Sequence, residues 1–82
     1  MGNKNKVIAG DYMGADVTLT NGKVILAISL GNMIVLNKTT VKAYELKAQS
    51  RTCTVAVDFN DGKKSLLEMD EKLYKTFVAE ML

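Results

Sequence analysis

Apolar and polar residues alternate with a period of two along most of the chain, and the spacing lengthens to four only near the end. The first pattern predicts β-strands and the second an amphipathic helix. Lys6 to Tyr12 reads as a first strand, weakened by Gly10 and ending near Gly14. Val17-Thr18-Leu19-Thr20 alternates and runs into Asn21-Gly22, the pair that supplies the two positive φ angles of a type I′ hairpin. Lys23 to Leu30 returns from that turn, and Gly31-Asn32 predicts a second one. Met33 to Leu36 has apolar residues on both faces, as expected of a strand near the middle of a sheet.

Asn37 to Thr40 is polar and turn-like, and Val41 to Leu46 follows as a strand with Lys42, Tyr44 and Leu46 on one face. Lys47 to Arg51 has no apolar pattern beyond Ala48, which predicts a loop. In Thr52 to Phe59, Cys53, Val55, Val57 and Phe59 share one face and Thr52, Thr54 and Asp58 the other. Asn60-Asp61-Gly62 closes this strand as a hairpin turn, and Lys64 to Met69 returns, burying parts of both faces through the adjacent Leu66 and Leu67. Asp70 stands at an N-cap position before a helix over 70–82, whose Leu73, Phe77 and Met81 form one stripe with Tyr74 and Val78 beside it. Residues 1–5 read as a polar, frayed tail.

About seven antiparallel strands followed by one helix predict a mainly β fold, in which a strongly bent sheet leaves an open end for the helix to plug. A pleckstrin-homology-like (PH-like) barrel has this plan. A small Sm-like or SH3-like barrel is the competitor, but Sm domains usually carry their helix first. At 82 residues, 48% of them hydrophobic, the chain has room for one core and one domain, over 6–82. Such a domain should be stable by about 4–8 kcal/mol.

Thr40-Val41-Lys42-Ala43-Tyr44-Glu45-Leu46 resembles a stretch found in a family of small, largely uncharacterised PH-like proteins of Gram-positive bacteria and their phages. The resemblance is strongest from Val55 to Glu68 (Val-Ala-Val-Asp-Phe-Asn-Asp-Gly-Lys-Lys-Ser-Leu-Leu-Glu) and on through Asp70 to Lys75. It spans most of 6–82 and implies a PH-like strand order with no established enzymatic activity. Members often insert a Gly- and Ala-rich apolar segment between the Tyr-Glu strand and the Val-Ala-Val strand. Only Lys47-Ala48-Gln49-Ser50-Arg51 fills that gap here, so the short loop is either natural or trimmed, and a membrane or packing role tied to the insertion is not implied.

Charge and chemistry narrow the function. Eleven basic and nine acidic residues are scattered and leave a net +2, which does not point to nucleic acid. There is no histidine, and Cys53 is the single cysteine, so no internal disulfide, CxxC site or histidine-based catalysis is available. A buried free Cys53 fits a reducing cytoplasm. The longest apolar run, Val24 to Leu30, is far short of a membrane span. The N-terminus does not read as a signal peptide, and Lys6 stands where a myristoylation motif wants Ser or Thr.

Ser65 beside Lys63 and Lys64 is the one nucleophile-and-base adjacency, and it falls in what reads as a solvated hairpin end. Asp58, Asp61, Glu68, Asp70 and Glu71 lack calcium-loop order, and turn and cap duties suffice for Asp61 and Asp70. Neither a cofactor nor a metal is expected. Lys38, Lys42, Lys47 and Arg51 lie around one strand and loop with Tyr44 nearby. Tyr44, Lys47 and Arg51 are thus the candidate ligand site, the Arg fork and the aromatic face suiting a phosphate-bearing molecule. The reading is a non-enzymatic protein-interaction or self-assembly module, with the five methionines serving either the core or an interface. The alternative is a binder that sequesters a phosphate-bearing signalling nucleotide.

Overall fold

The computed structural model describes residues 5–82. Seven strands, β1 (Lys6–Gly10), β2 (Asp16–Thr20), β3 (Lys23–Ser29), β4 (Asn32–Val35), β5 (Val41–Gln49), β6 (Cys53–Phe59) and β7 (Lys64–Met69), precede one helix, α1 (Glu71–Glu80). All strand pairs are antiparallel, in the order β4-β3-β2-β1-β7-β6-β5. The sheet curls into a half-barrel with β4 and β5 at its two ends, and no ladder joins them among the described residues.

Strand alternation decides what lies inside the curl. Val7, Val17, Val24, Leu26, Val55, Val57 and Leu67 are buried and meet Leu73 and Phe77 of α1 in one core. The helix starts where its cap chemistry places it: the Asp70 carboxylate accepts the Leu73 N–H at 2.7 Å, and Glu71 complements the positive end of the helix. Asn21 and Gly22 adopt φ of 54° and 76°, the conformation that a type I′ turn demands.

Gly10 meets a harder constraint. Its φ is +101°, and a Cβ built there would stand 2.4 Å from the Lys64 carbonyl oxygen and 2.5 Å from the Ser65 Cα. Only glycine lets β1 approach β7 so closely.

Several sequence expectations are corrected. β1 ends at Gly10 rather than Tyr12, because the chain turns there over the β6–β7 hairpin. The second turn is Leu30-Gly31, one residue earlier than expected, with Gly31 supplying the positive φ. β4 lies at the sheet edge rather than near its middle, and its apolar Met33 is 62% exposed. Residues 47–49 belong to β5 rather than to a loop: Ala48 pairs with Thr54 and Gln49 with Cys53. A bulge between Leu46 and Ala48 breaks the alternation there, and solvent on the free edge removes the need for apolar residues.

Lys42 is the extra residue of a second bulge, between Val41 and Ala43, so it does not continue the regular row of Tyr44 and Leu46. Ser65 is buried rather than solvated, because it lies on the inward face of β7 with Leu67 and Met69. The tail expected over 1–5 falls outside the described residues except for Asn5. That residue is held by the fold: its Oδ1 accepts the Asp70 N–H at 2.7 Å and its carbonyl accepts the Val17 N–H at 2.8 Å.

Candidate interaction surface

Residues of β5 and β6 build a broad hollow on the surface. Ala43, Tyr44, Glu45, Lys47, Ala56 and Asp58 line about 510 Å³. Register explains the lining, since Ala43 lies opposite Asp58 and Glu45 opposite Ala56, with small alanines forming the floor. A second hollow of about 270 Å³ shares Ala56 and Asp58 and continues over Ala9, Gly10 and Leu66. This convex face is therefore shallow, floored by small residues and rimmed by charge.

Of the three residues expected to hold a ligand, two border this hollow and one does not. Lys47 reaches across to Glu45, Nζ to Oε1 3.0 Å, so its charge is answered within its own strand. Tyr44 directs its ring into the core, edge-on to Phe77 with centroids 5.1 Å apart. Arg51 lies in the exposed Ser50–Thr52 connection between β5 and β6. Two carboxylates against one lysine make the hollow net negative, an arrangement that opposes rather than attracts phosphate.

The lysines that do converge are others. Lys42, Lys63 and Lys64 line a hollow of about 160 Å³ with Asp58, Asn60 and Gly62. It lies at the opposite end of the β5–β6 pair from Arg51, roughly 20 Å away at strand rise. The bulge at Lys42 and the tight turn at 60–62 bring these residues together, a juxtaposition that spacing alone does not signal.

The other polar groups singled out by the sequence have structural duties. Ser65 Oγ accepts the Tyr12 N–H at 3.0 Å, which ties the β1–β2 turn to β7. Tyr12 donates its hydroxyl to Asp61 Oδ2 at 2.9 Å while its ring stands edge-on to Phe59, 5.0 Å between centroids. The Lys63 N–H and the Tyr12 hydroxyl together hold the Asp61 carboxyl below the usual carboxylate range. Burial, then the hydrogen bond and charge of Asp61, push the Tyr12 phenol up. Cys53 is buried, and its thiol is raised first by burial and then by the charges of Glu71 and Asp70, which suppresses the reactive thiolate.

The methionines divide. Met69 and Met81 pack in or against the core, Met13 and Met33 are exposed, and Met1 lies outside the described residues. No described helix is long and apolar enough to cross a membrane.

The free edge is the remaining feature. β5 ends the sheet, and seven of its nine residues are exposed. Among the described residues, no strand pairs with its outer backbone N–H and C=O groups. Leu46 is the one large apolar side chain of β5 on the exposed side of the balance, at 36%. No protein-family model, curated protein or solved structure matches the chain.

Proposed function

We propose that this chain is a non-enzymatic, PH-like protein-interaction module that assembles with copies of itself in the cytoplasm. The observation that carries this reading is the open, exposed β5 edge at the end of a half-barrel. An unpaired strand of that length is a template for another strand. The strand order, with the helix last and packed inside the curl, supports the PH-like assignment. Support for a non-enzymatic role comes from the nucleophiles: Ser65 is engaged by the Tyr12 amide, and Cys53 is buried with a raised thiol. A buried free thiol also suits a reducing compartment.

Native mass spectrometry of protein purified without added ligand tests the reading. A mass of two or more chains with nothing else attached is expected. A monomer carrying a small anion would overturn it in favour of the second reading, a phosphate-bearing ligand. The three lysines around the Asn60–Gly62 turn favour that second reading more than Tyr44, Lys47 and Arg51 do. Stabilisation by pyrophosphate that disappears in Lys63→Glu/Lys64→Glu would establish it.

A further inference from the structure

We propose that two copies of the chain pair antiparallel along their β5 edges, with the two-fold axis at Leu46 and Glu45 of each copy opposite Lys47 of the other. The proposal rests on the self-assembly reading above and supplies its surface and register.

Symmetry limits the choices. A two-fold pairing of identical strands that extends a sheet places residues i and j opposite each other twice. Directly opposed residues must point to the same face, so the axis falls on a residue, not between two. An axis at Glu45 would set two carboxylates face to face, which is unfavourable. One at Tyr44 would leave Glu45 opposite Ala43 with no charge partner, and one at Ala43 would run directly into the bulge at Lys42.

The axis at Leu46 satisfies both charge and burial. The exposed Leu46 side chains meet across the axis, and Glu45–Lys47 forms on both sides of it. Orientation agrees, because Glu45 and Lys47 both border the outer hollow whereas Leu46 pairs with the inward-facing Val55. Their existing contact of 3.0 Å shows that the two side chains share one face of the strand. Lys47 is the extra residue of the bulge between Leu46 and Ala48, so Lys47 and Ala48 share the outward face opposite Glu45 and the ladder continues with Tyr44 opposite Gln49, both inward.

The same features that discourage other strands permit this one. Edge lysines and bulges blunt generic pairing. A Glu-Leu-Lys triplet, read antiparallel against itself, turns its own lysine into the complement of its own glutamate. One strand pair is a small interface, so the association is of the reversible class.

Charge reversal with mixing tests the register. Glu45→Lys gives a chain with two positive charges at these positions, and Lys47→Glu gives one with two negative charges. Each variant alone should self-associate about tenfold or more weakly than the unmodified chain, since two attractive pairs become repulsive. Mixed in equal amounts, the two should form a heterodimer preferentially, because both opposed pairs are then of opposite sign. The double variant Glu45→Lys/Lys47→Glu should self-associate as the unmodified chain does. Analytical ultracentrifugation and native mass spectrometry read all four samples, with circular dichroism confirming that each is folded. Dimers that ignore both reversals would overturn the β5 register while leaving self-assembly through another face. An unmodified chain that stays monomeric at every concentration would overturn self-assembly itself.

Discussion

Replacing Phe77 with Ala probes the contact that closes the fold. Phe77 is fully buried, with Tyr44 of β5 edge-on at 5.1 Å and Tyr74 of its own helix nearly parallel at 6.5 Å and 25°. Truncation removes the ring's transfer free energy and leaves a cavity that a sheet held by its ladders closes poorly, a loss of about 3–5 kcal/mol. The aromatic geometry contributes roughly 0.5–1.5 kcal/mol beyond area. Against a total of about 4–8 kcal/mol, the variant stands at the edge of unfolding. Urea titration followed by circular dichroism should show a lower midpoint at nearly unchanged slope, and the melting temperature should fall by about 12 °C or more. Lys75→Ala is the control: its side chain is 75% exposed and pairs with Glu71 at 3.6 Å, so about 0.5 kcal/mol is expected. A loss below about 1 kcal/mol for Phe77→Ala would refute the packing of α1 in the curl.

Three further outcomes follow from named contacts. Gly10→Ala should cost about 3 kcal/mol or more, because strain at positive φ adds to a backbone clash, whereas Gly22→Ala, with open space around it, carries the φ penalty alone; chemical denaturation distinguishes them. Tyr12→Phe should raise the Asp61 pKa measured by NMR titration. Because the folded Asp61 value is lowered, its stabilisation is present above the unfolded carboxylate value and lost as pH falls through the folded one, so the variant's deficit should vanish in acid. Cys53 should react slowly with a thiol reagent in the native state and faster as denaturant is added; prompt stoichiometric labelling would remove it from the core.

What the sequence discloses is local. The Asn21-Gly22 turn, the alternation of β6 and the Asp70 cap each depend on a few neighbouring residues, so each is legible before the fold is known. What it conceals is set by distant partners. Val41 to Leu46 announces a strand by its own pattern, but residues 47–49 become strand only because β6 pairs with them. Ser65 looks like a hairpin-end residue until Tyr12, 53 positions away, comes to its hydroxyl. Met33 looks central because its neighbours are apolar, yet edge position depends on which strands find each other. For the same reason Tyr44 and Lys47 reach one hollow while Arg51 falls in a connection beyond it, and the convergence of Lys42, Lys63 and Lys64 appears only when two bends are superposed.

Amide hydrogen exchange, measured residue by residue over a hundredfold range of protein concentration, tests self-assembly at the β5 edge most directly. The unpaired N–H groups of residues 43–49 should exchange quickly in dilute solution and become protected as concentration rises, while β4 at the opposite edge stays unchanged. Exchange in β5 that is equally fast at every concentration would contradict it.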